Sequence, residues 1–453
     1  MNNRIILRSP LETDLNNYYM LQDSNGLVLA YIKNDTNNEI TLNDVIEVLS
    51  RPYLSIKHRI CVLHPDETVE YEIPSEDIIE GSISFSENLQ NGQRKSLTFN
   101  LINKDGKYTP CVNYDYGRGT NFNEKRFGVH TPLWGNSRFS YEIGVRVKEN
   151  LYYWFAKGIY VLSSAEAQGD DKREISIVLK DKFSIFEGNL GKFLYTTELK
   201  YGTDVKMAVK HILRQDTGMG YICDYKPPLI DSSFYGFKTQ TSIRKEQGDT
   251  YASLFEELFV QMNAAYYYND IGNFVVIPLN EEMNDETKCV SWTYTNESGG
   301  LNTINKNYNL DEAINIIYVE GNNVGGKSYS ALVVNNDSRS PFAVGYIGKR
   351  IGEPVRDCNI WNKQQARDLG VYKLRKNTLN CLQQKAGVNF NPLIKIDTLI
   401  EVENDFFNYH GMKFIVKEIS FSSNQGTMNL SLVDIQSLSF LKVGDGNVIG
   451  IND

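Results

Sequence analysis

The sequence predicts a mainly β protein, with two tube-like antiparallel β-barrel or sandwich domains in one chain plus a small α/β insert. Three observations carry this. Apolar and polar residues alternate with a period of two through much of the first and last thirds of the 453 residues. Aromatic residues make up 12% of the chain, with 28 Tyr against 12 Pro, and tyrosine fits half-buried strands better than helices. The period lengthens to that of a helix only in the middle of the chain and once more near residue 370.

Residues 1–52 are polar and Asn-rich and read as an N-terminal arm or small subdomain. Thr41-x-x-Asp44 resembles a capping box ahead of a short helix that Pro52 stops. Residues 53–190 read as the first β domain. Ile83 and Phe85 alternate with Ser82, Ser84 and Ser86; Leu97, Phe99 and Leu101 alternate with Ser96, Thr98 and Asn100. A loop at 114–136 separates these from further strands over 139–147, 154–162 and 175–179. Residues 191–300 form the predicted insert. Val205, Ala208, Val209, Ile212 and Leu213 line one helix face behind the cap Thr203-Asp204. Tyr251, Leu254, Phe255, Leu258, Phe259 and Met262 line another, followed by a hairpin turning at Asn269-Asp-Ile-Gly272.

Residues 301–441 read as the second β domain. It holds a helix over about 362–386, with Ala366, Gly370, Leu374, Thr378 and Leu382 at four-residue steps, stopped by Gly387. Strands follow at 393–402, 412–421 and 427–433, with turns at Tyr409-His-Gly411 and Asn424-Gln-Gly426. Residues 442–453 form a Gly-rich tail.

Composition narrows the function. Asp and Glu number 56 against 47 Lys and Arg, a net charge of −9, which argues against a dedicated nucleic-acid binder. The N-terminus lacks the apolar stretch of a signal peptide, and no window is long and apolar enough to span a bilayer. The six Cys are scattered and read as free thiols, so a soluble protein of a reducing cytosol is expected, without membrane insertion.

Several motifs invite sharper readings. Gly321-Asn-Asn-Val-Gly-Gly-Lys327-Ser328 matches the phosphate-loop pattern, but the next residues, Tyr329-Ser-Ala-Leu-Val-Val334, read as strand. Without a helix N-terminus the phosphate loses its amide donors, so a β-hairpin is predicted. His58-x-x-Cys61-x-x-His64 has metal-ligand residue types, yet in a strand Cys61 faces away from both histidines. Glu256-Glu257 and Glu281-Glu282 fit a solvated helix face or loop better than a glycosidase pair, and Asn103-Lys-Asp-Gly106 lacks the flanking acids of a calcium loop. No enzyme, metal or cofactor is expected.

Other segments resemble the central hub proteins of phage baseplates and the related tail-tip or tail-associated proteins of siphophages. These are Ile79-Glu-Gly-Ser-Ile-Ser-Phe-Ser-Glu-Asn88 with Ser96 to Pro110; Ala313-Ile-Asn-Ile-Ile-Tyr-Val-Glu-Gly321 continuing to Gly345-Tyr-Ile-Gly-Lys-Arg350; and Asn391-Pro-Leu-Ile-Lys-Ile-Asp397 with Gly411 to Ile419 and Gly426 to Leu432. The resemblance covers roughly 53–440. It implies a structural virion protein, a homotrimer whose paired β domains form a pseudo-sixfold ring. Such a ring joins a tail tube or distal tail protein to a trimeric tail spike or tip protein, and DNA passes through without specific binding. The loop aromatics Tyr114, Tyr116, Phe122, Phe127 and Trp134 are then expected at a subunit interface. Two other readings compete: a module binding host cell-wall glycans through the same loop, and a tail-associated hydrolase.

Overall fold

The computed structural model describes residues 5–8, 18–23, 28–34, 40–51, 54–89, 93–104, 108, 137–167, 173–214, 224, 226–239, 242–262, 264–278, 290–296, 300–307, 309–324, 327–338, 340–357, 360, 363–423 and 426–434. The fold is mainly β, as the alternation predicts. The chain forms two compact units. One comprises 1–279, 389–396 and 418–428; the other comprises 280–388, 397–417 and 429–453.

In the first unit, strands β1 (Ile5–Arg8), β2 (Tyr19–Asp23) and β3 (Val28–Asn34) pair antiparallel in sequence order. Helix α1 (Leu42–Leu49) follows, and the Thr41 hydroxyl accepts from the Asp44 amide, as the capping box predicts. The Asn-rich composition of residues 1–52 gave no sign of the three strands. Next come β4 (Ile56–Leu63), β5 (Val69–Glu72), β6 (Ser84–Leu89), β7 (Gln93–Ile102), β8 (Arg138–Lys148), β9 (Leu151–Ala167) and β10 (Glu174–Asp181). They pair antiparallel in the order β5-β4-β8-β9-β10-β7-β6, and β3 also pairs with β9. Residues Glu418–Ser422 add to β6, setting Phe421 opposite Phe85. Gly144 on β8 has no room for a side chain: a Cβ would lie 2.7 Å from the Trp154 ring. The Arg59 guanidinium caps that ring 3.7 Å from its centroid, where a cation meets the negative π face.

The same unit continues into β11 (Thr197–Leu199), α2 (Val205–Arg214), β12 (Leu229–Ile230), β13 (Ile243–Lys245), α3 (Tyr251–Met262), β14 (Ala264–Tyr268) and β15 (Phe274–Pro278). Strands β11 and β13 pair antiparallel; β14 pairs antiparallel and β12 parallel with β15. Both predicted helix faces are buried in one core. At its centre Phe255 lies 5.1 Å from Phe274, and Phe259 4.6 Å from Tyr266. Asp204 caps α2 by accepting from the Met207 amide at 2.9 Å.

The second unit holds β16 (Val290–Thr295), β17 (Leu301–Lys306), β18 (Ile316–Val324), β19 (Lys327–Val334), the short α4 (Val344–Ile347), β20 (Val355–Asp357), α5 (Lys363–Cys381), β21 (Gln384–Asn389) as far as Val388, β22 (Leu399–Asn404), β23 (Tyr409–Ser422) as far as Lys417, and β24 (Thr427–Asp434) from Asn429. Strands β18 and β19 form a hairpin with β20 parallel to β18, and Val319 and Val333 pack in one cluster with Ala366, Val371 and Leu374 of α5. Gly370 permits this approach, since a Cβ there would lie 2.4 Å from a Val333 methyl. Strand β16 pairs parallel with β22, β22 antiparallel with β23, and β17 antiparallel with β21.

Three sequence expectations are corrected here. The helix expected to 386 ends at Cys381, and Gln384–Asn389 is a strand because Gln384, Ala386 and Val388 are buried in alternation. The strand expected from 393 begins at Leu399, because Asp397 adopts a left-handed φ of 64° and Asn391 accepts from the Leu393 amide. The turn expected at 409–411 lies at 405–408, with Asn408 at φ 55°, and Tyr409 already belongs to β23.

Candidate functional site

Two buried ionic centres grip the turn between β14 and β15, Asn269 to Asn273. Its backbone is shaped by Asn269, whose side-chain oxygen accepts from the amides of Ile271 (3.2 Å) and Asn273 (2.8 Å). Gly272 serves twice. Its φ of 84° suits glycine, and a Cβ there would lie 2.7 Å from Ile159 and 2.9 Å from Glu67.

The first centre surrounds Asp270, which pairs with both Lys95 and Lys395. Lys95 also lies 3.7 Å from Glu87, and its amide donates to Asp181 at 3.0 Å. Burial pushes the Asp270 carboxyl up, but Lys395, Lys95 and Lys157 outweigh it and hold its pKa well below the usual carboxylate range. Burial likewise opposes the charge on Lys95, yet Asp270 and then Glu87 keep its pKa above the ordinary value. Lys157 donates to the Pro392 carbonyl at 2.7 Å, and its pKa is brought down to about 8, mainly by burial.

The second centre surrounds Lys182, which pairs with Glu67 and, at 2.8 Å, with Asp224, and donates to the Gly272 carbonyl at 2.8 Å. Lys226 donates to the Ile271 carbonyl and lies 3.2 Å from Glu67. Tyr268 donates to the far oxygen of Asp224 at 2.8 Å. Lys95, Lys182, Lys226 and Lys395 each face a carboxylate, and Lys157, Lys182 and Lys226 are tied to backbone carbonyls. Such an arrangement fixes the turn rather than handling a ligand, because breaking any buried pair strands the partner charge. A third buried carboxylate, Glu142, accepts from Tyr18 and pairs with Lys33 and with Arg59 at 3.3 Å.

The second unit presents the opposite chemistry. An open cleft of about 470 Å³ lies along β17 and the turn Asp405–Asn408, lined among others by Asn296, Asn302, Asn305, Asn404, Phe406 and Phe407. Asn404 donates to Asn296 at 3.1 Å and accepts from the Phe407 amide at 3.0 Å, which sets the turn. Phe406 is 88% exposed and stands edge-on to Phe407, ring centroids 5.0 Å apart.

The motifs singled out from sequence are placed as follows. The phosphate-loop match lies on the strands of the β18–β19 hairpin, as expected, with 325–326 outside the described residues. His58 sits 2.9 Å from the Tyr141 hydroxyl, and burial lowers its pKa to about 4. Cys61 is buried, its pKa raised to about 11 by burial and then by Glu142, while His64 is exposed 3.6 Å from Glu70. Glu257 pairs with Lys245. Glu281 and Glu282 lie outside the described residues, as do the aromatics Tyr114, Tyr116, Phe122, Phe127 and Trp134. Sequence reasoning did not find the ionic centres, whose members are spread from Glu67 to Lys395 without a motif. The one local signal was the Asn-Asp-Ile-Gly turn.

No protein-family model matches the chain, and no curated protein sequence matches it. Solved structures do. The 43 kDa tail protein of prophage MuSo2 from Shewanella oneidensis aligns over 84% of this chain and 100% of its own, at 12% identity and a TM-score of 0.51. A tail protein from Neisseria meningitidis MC58 aligns over 84% and 99%, at 12% identity and a TM-score of 0.53. The chain shares the fold of these tail proteins along nearly their whole length.

Proposed function

We propose that the chain is a structural protein of a phage-type tail: a homotrimeric hub joining a sixfold tail tube or distal tail ring to a threefold spike or tip. The carrying observation is the fold shared with two bacterial-genome tail proteins, one of them from a prophage, over 84% of the chain. On this reading each chain supplies two tube-like β domains, so that three chains make a ring of six. DNA passes through the ring without being bound. The net charge of −9 favours that, since a neutral or acidic lumen leaves a polyanion mobile. Assembly would take place in the host cytoplasm, and the protein would end in the virion tail.

Native mass spectrometry of the purified chain tests the stoichiometry: a threefold mass is expected, and a monomer at all concentrations would overturn the hub. Deleting 115–133 tests the loop. If Tyr114, Tyr116, Phe122, Phe127 and Trp134 anchor a subunit interface, the deletion abolishes ring formation while the remaining chain folds. Intact rings with lost adsorption to host cell wall would assign that loop to glycan binding instead.

A further inference from the structure

The cleft beside β17 combines three properties. Its lining contains no charged side chain among the nine residues that form it, so it offers no counter-ion to an ionic ligand. Its polar part is built from carboxamides: Asn404 is buried and spent on Asn296 and the Phe407 amide, which leaves Asn305, exposed on β17, to meet a ligand. A carboxamide presents a donor and an acceptor side by side, the pattern that matches neighbouring hydroxyl groups, each of which both donates and accepts. Its apolar part comprises Leu301, Ile304, Phe407 and Phe406, the last exposed to 88% on a turn. A flat apolar ring suits the C–H face of a pyranose as the carboxamides suit its rim. The volume of about 470 Å³ lies within the range of small-molecule sites and accommodates one or two sugar rings.

The platform is built before any ligand arrives. Phe406 rests edge-on against Phe407, and Phe407 stacks on Tyr409 with centroids 5.6 Å apart. Tyr409 is buried and donates to Gln384 at 3.0 Å. Asn404 ties the turn to Asn296 and to the Phe407 amide, and the Asn408 amide returns to the Asp405 carbonyl at 3.1 Å.

We propose that this cleft binds a neutral saccharide, with Phe406 as the stacking platform and Asn305 on β17 as a hydroxyl partner. The site lies in the second unit and is independent of both the hub role and the aromatic loop at 114–136. The competing occupant is an extended peptide. Strand β17 pairs with β21 on one side, and among the described residues no strand pairs with its other edge, which a peptide strand could extend.

The test uses the full chain titrated with glucose, galactose, N-acetylglucosamine and their homodisaccharides, read by calorimetry and saturation-transfer NMR. At least one sugar should bind saturably. Phe406→Ala should weaken it by about tenfold, the scale of one lost aromatic contact, without changing the melting temperature. Asn305→Ala should weaken it as well, whereas Tyr372→Ala, at an exposed ring of α5 outside the cleft, should not. Absence of saturable binding to every sugar would overturn the proposal, as would binding that Phe406→Ala leaves unchanged. Capture of extended peptides at β17 without sugar binding would overturn it in favour of strand addition.

Discussion

Two tight turns of this molecule put similar residue types to opposite use. Asn269–Asn273 and Asp405–Asn408 each join antiparallel strands, and in each an Asn side chain caps the turn through backbone amides. In the first, Asp270 is 5% exposed and held by Lys95 and Lys395, and the turn's carbonyls are taken by Lys182 and Lys226. In the second, Asn404 is likewise spent on the turn, but Phe406 and, across the cleft, Asn305 face solvent. The difference teaches where to look for recognition. Polar groups consumed by the fold hold it together; those fixed in place but facing water are available to something else.

The strongest way to break that contrast is to remove a charge from the first turn. Asp270→Ala leaves Lys95 and Lys395 buried without their shared carboxylate and should cost about 3–5 kcal/mol by chemical denaturation. A loss under about 1 kcal/mol would mean the turn is not held this way. Next is the core that carries the turn. Leu258 is fully buried on α3, and Leu258→Ala should cost about 2–5 kcal/mol; a normally melting Leu258→Asp would show that this helix face is not packed.

A smaller effect is expected from acid. Burial lowers the His58 pKa from 6.5 to about 4, so the folded chain resists a proton that the unfolded chain accepts. Stability from this group is present above about pH 6.5 and is lost as pH falls toward 4, by at most about 3 kcal/mol. His58→Phe should flatten that part of the stability–pH curve, and an unchanged slope would refute the assignment. The smallest effect belongs to the second turn. Phe406→Ala should change stability by less than about 0.5 kcal/mol, and a larger loss would show that the ring supports the fold.

Period was legible in the sequence, and partnership was not. The stripe from Tyr251 to Met262 and the alternation of Leu97, Phe99 and Leu101 announce their elements because burial repeats along the local geometry. The α5 boundary was misread because Leu382 continues a four-residue step while Gln384, Ala386 and Val388 have already begun a two-residue one. The strands of residues 1–52 were missed because polar residues surround them. Asp270 could not be matched to Lys95 or Lys395, which lie 175 and 125 positions away: an ion pair leaves no periodic trace. The cleft was equally hidden, since Asn305 and Phe406 are about a hundred positions apart.

The division of the chain also sets a timetable for its synthesis. The first unit is assembled from residues 1–279 together with 389–396 and 418–428, so the strand that covers β6 and the lysine that completes the Asp270 pair are made last. From residue 279 to 428 the ribosome adds 149 residues, roughly 7–30 s at about 5–20 residues per second. Within that interval the nascent first unit holds Asp270 with only part of its counter-charge until residue 395 is made, and exposes the unpaired backbone of β6 until 418–422 follows. A growing chain in this state is a natural client for chaperones, and one whose translation stalls between 280 and 417 would be left with an open sheet edge ready to pair with another copy.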